Sequence, residues 1–177
     1  MLNEAAHVIL IEDEEANRAS LSRALERVGY RVDAFEAAEP ALVFLREHGD
    51  VHLVVTDLMM PGKDGFAVLR EAREIQPEIG VLMITGHGSV ESAVEAMKAG
   101  ADDYLTKPVD LFELRKRTSS IIEKKQLTRR IDELETRLGE KFKLVGRSKA
   151  MEDLFRRIEL VARARTNVLV VSCLLYT

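Results

Sequence analysis

The apolar run Val54-Val55-Thr56 ends in one carboxylate, Asp57, and the turn Leu58-Met59-Met60-Pro61-Gly62 follows at once. A Pro-Gly pair cannot continue a central strand, so the strand ends there. Asp57 therefore sits at the carboxyl end of a buried strand, where open α/β sheets build their sites. An earlier apolar run, His7-Val8-Ile9-Leu10-Ile11, ends in the acidic pair Glu12-Asp13. Later runs end in Thr85 and in Lys107-Pro108.

Short apolar runs alternate with segments of helical period. The spacing predicts strands over 7–12, 31–35, 52–57, 80–85 and 103–106, and helices over 14–28, 37–48, 64–75, 89–99 and 110–125. Near-continuous β-branched and aliphatic runs suit parallel strands covered on both faces. On the first helix, Ala16, Ala19, Leu21, Ala24, Leu25 and Val28 form the expected inward stripe, and Gly29 stands where a helix stop belongs. On the fourth, Ser89 is the expected cap, Val90, Ala93, Val94 and Met97 the inward face, and Gly100 the stop. Five strand–helix repeats give an α/β doubly wound domain, with the strand ending in Asp57 at its centre.

Composition narrows the class. The chain has 177 residues, 46% of them hydrophobic but only 5% aromatic, so the core is aliphatic. A net charge of −4 argues neither for nor against nucleic acid. One cysteine, Cys173, excludes an internal disulfide framework and suits a reducing compartment. No apolar run approaches the roughly 20 residues that span a membrane, and the amino terminus lacks a secretory pattern. A cytoplasmic protein without membrane contact is the expectation.

Two carboxylates about 4 Å apart repel by on the order of 4 kcal/mol at an effective dielectric of 20. Asp13 and Asp57, with Glu12 adding a third charge, should therefore attract a hard divalent cation, and Mg2+ fits an oxygen-only site that keeps its waters. The histidines His7, His48, His52 and His87 are scattered, which leaves no convincing zinc set. Asp57 can act as a nucleophile toward phosphorus, with Lys107 as a second positive point and the Thr85 hydroxyl donating to a phosphoryl oxygen. Lys107-Pro108 is a place for a cis bond. Taken singly these residues are turn formers or surface groups; four strand-end placements in this order favour chemistry.

The stretches Ile9-Leu10-Ile11-Glu12-Asp13-Glu14, Asp57-Leu58-Met59-Met60-Pro61-Gly62-Lys63-Asp64-Gly65, Thr85-Gly86-His87-Gly88 and Gly100-Ala101-Asp102-Asp103-Tyr104-Leu105-Thr106-Lys107-Pro108 together resemble the receiver domain of two-component response regulators. The resemblance covers 1–122 and implies a flavodoxin-like five-stranded parallel sheet of order 2-1-3-4-5. It also implies that Asp57 accepts a phosphoryl group from a sensor histidine kinase. By the same resemblance Asp13, Asp57 and the Met59 carbonyl hold Mg2+, and Glu12, where Asp is commoner, reaches the metal through water. Thr85 and Tyr104 would form a switch coupled to the face of the fourth helix, fifth strand and fifth helix, through which a homodimer would form.

Residues 123–141 form a charged linker in which Leu127, Ile131, Leu134 and Leu138 follow a coiled-coil spacing, expected to help dimerise the chain. Its basic residues alternate with acids and carry no base-reading motif, so DNA binding is not expected. Residues 142–171 resemble the start of the AAA+ module of sigma-54-dependent, NtrC-type transcriptional activators. No Gly-Lys phosphate loop follows, so neither ATP binding nor hydrolysis is expected of this chain. Residues 172–177 match no part of that pattern and read as a foreign or truncated tail. Two other readings are a phosphorylation-independent interaction module and an Asp-nucleophile phosphatase. The phosphatase pattern needs a second Asp two residues on, where Met59 stands.

Overall fold

The computed structural model describes residues 5–86 and 90–141, and the single positions 149 and 153; within these, the side chains of 90–92 and 132–141 are not described. The expected AAA+ start, the 172–177 tail, the Ser89 cap, His87, and the Leu134 and Leu138 side chains thus lie outside the described residues. By contacts the chain divides into units 1–133 and 134–177; the fold below is that of the first.

Five strands, β1 (His7–Ile11), β2 (Arg31–Phe35), β3 (Val51–Asp57), β4 (Gly80–Thr85) and β5 (Asp103–Thr106), alternate with α1 (Glu15–Glu26), α2 (Ala38–Glu47), α3 (Gly65–Ile75), α4 (Val90–Lys98) and α5 (Leu111–Lys141). All pairings are parallel and the order is β2-β1-β3-β4-β5. The fold is the flavodoxin-like one expected. The fifth helix runs well past 125, unbroken to Lys141, because no Pro or Gly interrupts it before Gly139.

Alternate strand residues feed two cores. Val8, Leu10, Leu53, Val55, Leu82 and Ile84 pack under α1 and α5 with Leu21, Leu25, Leu114 and Ile121. Ile9, Ile11, Val54, Val81 and Met83 pack on the other face with Leu42, Val68, Leu69 and Ala96. Each fully buried Leu or Ile contributes about 1.5–3 kcal/mol relative to exposure. This period-two division is what a strand covered on both faces requires. Among the described residues no helix is long and apolar enough to cross a membrane.

Two expected stripes are corrected. On α1 only Leu21, Ala24 and Leu25 are buried; Ala16 and Val28 are exposed and Ala19 is half-buried. On α4 the buried residues among the described side chains are Ala93, as expected, and Ala96, whereas Val94 and Met97 are 44% and 46% exposed; the Val90 side chain lies outside the described residues. Small alanines let that helix sit close to the sheet, which turns its larger neighbours outward, where they line a cleft beside Tyr104. In α5, Leu127 and Ile131 are 56% and 55% exposed, so the first half of the linker seam is uncovered within this chain.

At the amino end of the sheet the buried His7 ring bridges Asp33 (Nε2 to Oδ2, 2.6 Å) and Asp50 (Nδ1 to Oδ2, 3.1 Å). Its backbone N–H donates to His52 Nδ1 at 3.2 Å. Burial, then the nearby charge of Arg129, holds the His52 imidazole below its ordinary value of 6.5. The folded state therefore resists protonation of that ring. Its contribution to stability is complete above about pH 6.5 and is lost as pH falls through the depressed value. Urea midpoints should show this decline in the parent and lose that component in His52→Gln.

Gly65 opens α3 directly beneath the β3 end. A Cβ there would lie 2.7 Å from the Asp57 carbonyl oxygen and 2.9 Å from Leu58 Cα, both backbone atoms that cannot yield cheaply. Gly65→Ala should lower unfolding free energy by about 1–3 kcal/mol. Gly49→Ala, with open space around it, should stay within about 0.5 kcal/mol in the same denaturation series.

Candidate functional site

The crossing point of this sheet lies between β1 and β3, whose chains leave in opposite directions along the sheet order. There β1 delivers Glu12 and Asp13, and β3 delivers Asp57. Glu12 is held by its N–H donating to the Phe35 carbonyl (3.1 Å), and Leu58 N–H donates to the Ile84 carbonyl (2.6 Å), so both strand ends are pinned by neighbours.

Glu12 is fully buried and Asp57 is 4% exposed, whereas Asp13 faces solvent. Each of the three offers a carboxylate oxygen within 4.8 Å of the others. Lys107, from the end of β5, donates from Nζ to Glu12 Oε1 (2.8 Å) and Asp57 Oδ2 (2.5 Å). Burial pulls the lysine toward deprotonation, but the hydrogen bonds and charges of Asp57 and Glu12 outweigh it and raise the ammonium above its ordinary value. The Lys107–Pro108 peptide is cis.

Met59 N–H donates to Asp57 Oδ1 at 3.1 Å, orienting the carboxylate from the loop that follows. That loop is tied down by Lys63 Nζ on Glu71 Oε1 (2.5 Å), and Asp64 caps α3 by accepting from Ala67 N–H (2.8 Å). Thr85 is buried at the end of β4, on the strand beside β3, and its carbonyl accepts from Lys107 N–H at 2.8 Å. Tyr104 lies half-buried on β5, opposite Met83, against Ala93, Val94 and Met97 of α4. Glu12, Asp13, Asp57 and Lys107 thus form one cluster, Met59 touches it through its backbone, Thr85 borders it on the adjacent strand, and Tyr104 stands on β5 facing α4.

Two residues of the cluster escaped sequence reasoning. Arg18 donates through one terminal nitrogen to the carbonyls of Glu12 (2.7 Å) and Asp13 (3.1 Å), fixing the acidic loop. Asn17 donates to Glu14 (2.9 Å) and, at the limit of reach, to Glu12 (3.5 Å). Their only sequence sign is position, one helical turn after the acidic pair.

Three carboxylates face one ammonium, and Glu12 Oε2 is buried with no hydrogen-bond partner. An orphaned buried carboxylate oxygen beside two further acids is a fit for a hard, oxygen-seeking divalent cation such as Mg2+. Asp13→Asn should raise the melting temperature in chelator-treated buffer by roughly 2–4 °C through relief of repulsion. It should also shrink the further rise that added Mg2+ gives the parent; both are read from thermal melts.

A family model described as response regulator receiver domain matches residues 8–119. The transcriptional regulatory protein ZraR of Escherichia coli O157:H7 is 38% identical over 165 residues, 92% of this chain and 36% of that protein. This chain thus spans about a third of that relative. A receiver domain protein from Clostridium thermocellum superposes with a TM-score of 0.66 at 33% identity, covering 70% of this chain and 98% of its own. NtrX from Brucella abortus gives a TM-score of 0.72 at 34% identity over 89% of this chain and 35% of its own.

Proposed function

The chain belongs to the response regulator receiver-domain family, and on that premise we propose that it takes a phosphoryl group onto Asp57 from a sensor histidine kinase. The observation that carries this is the Asp57 carboxylate, buried at a β-strand end and held by Lys107 Nζ and Met59 N–H. One oxygen of Asp57 attacks phosphorus; the new O–P bond forms as the donor's P–N bond breaks and the departing imidazole keeps the electron pair. Lys107 stays protonated and neutralises charge on the phosphoryl oxygens, and the Thr85 hydroxyl donates to one of them. Asp13, Asp57 and the Met59 carbonyl would hold Mg2+, with Glu12 reaching it through water. The bound ion supplies further neutralisation of the transferring oxygens. The chain acts as a phosphoacceptor that assists its own modification, in the cytoplasm, and not as a turnover enzyme.

The new group adds roughly −1.5 to −2 charges. Thr85 shifts toward it, and Tyr104 turns into the space left, changing the α4–β5–α5 face. A homodimer through that face and the exposed Leu127–Ile131 seam is the output. The domains run 1–122 for the receiver, 123–141 for the linker and 142–171 for the opening of an AAA+ module. The parent is an NtrC-type sigma-54 activator; similarity to a transcriptional regulatory protein over 92% of this chain supports that reading. DNA and ATP binding belong to the proposed full-length parent.

Incubation with acetyl phosphate and Mg2+ should add the mass of one phosphoryl group to the parent and none to Asp57→Ala. Thr85→Ala should be labelled, yet its amide shifts around Tyr104 should respond much less than the parent's. Equal responses in the two would remove Thr85 from the switch.

A further inference from the structure

The three acids of the site are not held alike. Glu12 accepts from Lys107 Nζ at 2.8 Å, and its own N–H donates to the Phe35 carbonyl. Asp57 accepts from Lys107 Nζ and from Met59 N–H. Among the described residues no hydrogen bond or ion pair reaches the Asp13 carboxylate, which faces solvent. Only its backbone can direct it toward the other two.

That backbone is gripped by Arg18, near the start of α1. One terminal nitrogen of its guanidinium donates to the Glu12 carbonyl at 2.7 Å and to the Asp13 carbonyl at 3.1 Å. Such a nitrogen carries two hydrogens, one for each carbonyl. The Glu12 carbonyl belongs to the peptide plane before the Asp13 Cα, and the Asp13 carbonyl to the plane after it. Each plane is rigid, so the chain bends at Asp13 only through φ and ψ. Pinning both planes to one nitrogen fixes those two angles, and with them the direction of the Asp13 Cα–Cβ bond. Among the described residues no other donor reaches either carbonyl. Arg18 is itself anchored, because its N–H donates to the Glu14 carbonyl at 2.9 Å.

Charge works the other way. A guanidinium beside the acidic pair disfavours a second cation there, since like charges repel. Grip and charge therefore push the affinity for Mg2+ in opposite directions, and the sign of a substitution tells which one dominates.

We propose that Arg18 is a positioning residue of the cation site: through the two carbonyls it aims Asp13, and so sets how much Mg2+ the chain needs rather than how fast phosphoryl transfer runs once Mg2+ is bound. This rests on the Mg2+ site proposed above at Asp13 and Asp57. Groups that orient metal ligands without touching the metal typically change affinity by about 10–100-fold.

The test uses the full chain as parent, Arg18→Met, Arg18→Lys and Arg23→Met, with circular dichroism to check folding. Mg2+ is titrated twice. Without any donor, the backbone amide shifts of Asp13, Asp57 and Met59 are followed; with acetyl phosphate, the rate of labelling is followed by mass. Arg18→Met keeps the stem but loses the donors and the charge. Its Mg2+ midpoint should rise about tenfold in both titrations. Its labelling rate at saturating Mg2+ should stay within about twofold of the parent's. Arg18→Lys, whose ammonium has hydrogens for both carbonyls, should recover part of the shift but not all of it. Arg23, exposed on the same helix, should leave the midpoint within about twofold when replaced.

An unchanged or lower midpoint in Arg18→Met overturns the proposal, because Arg18 would then act as a charge alone. A lower saturating rate at an unchanged midpoint overturns it as well. Should Arg18→Met fail to fold, Arg18→Lys decides: a raised midpoint supports the role and an unchanged one removes it. Amide shifts of the parent that ignore Mg2+ would overturn the cation site and this role together. Mg2+ binding without labelling of the parent would overturn the phosphoacceptor reading alone, with the donor-free midpoints still deciding the role of Arg18.

Discussion

One ammonium group organises the carboxyl end of the sheet. Lys107 reaches Glu12, 95 residues earlier, and Asp57, 50 residues earlier, and brings β1, β3 and β5 to a common point. Burying two carboxylates this deeply without a cation would cost several kcal/mol per ion. With the lysine in place the strand ends stay together, yet the charge is only partly balanced, because Asp13 and the unpartnered Glu12 oxygen remain. The same arrangement that tolerates the acids leaves a demand for further positive charge, which a divalent cation and an incoming phosphoryl group with its metal would meet.

Around that point the fold separates rigidity from responsiveness. The acids are locked by short backbone bonds, by Arg18 on their carbonyls and by the capped start of α3. On the far side of β5, Tyr104 lies half-buried beside α4, where among the described side chains Ala93 and Ala96 are buried and Val94 and Met97 stand partly in solvent. Small contacts give less resistance to a shift of α4 than a Leu or Ile layer would. Val94 and Met97 on α4, and Leu127 and Ile131 on α5, leave apolar side chains partly in solvent.

Strand ends were the most legible part of the sequence. The bounds of β2, β4 and β5 follow directly from their apolar runs, and the strand ending in Asp57 is central as its composition required. Asp57, Glu12 and Lys107 could be placed together because each terminates such a run. Helix faces were less legible. Ala16, Ala19 and Val28 fit the hydrophobic period of α1, but a helix resting on a sheet buries a narrow strip, and alanine is compatible with either side. Arg18 and Asn17 left no mark beyond their position after the acidic pair, since their targets are mostly backbone carbonyls and a neighbouring acid. The His7 bridge was hidden because its partners Asp33 and Asp50 lie 26 and 43 residues away and no periodicity links them.

If the proposed chemistry holds, the Asp57 carboxylate itself becomes the acyl phosphate. Reduction with borohydride converts an aspartyl phosphate to homoserine, so the modified position can be read by tandem mass spectrometry of the phosphorylated, reduced chain. Homoserine is expected at position 57 and aspartate at 13. Homoserine at 13, or a phosphoryl group that survives reduction on a serine or threonine, would contradict it.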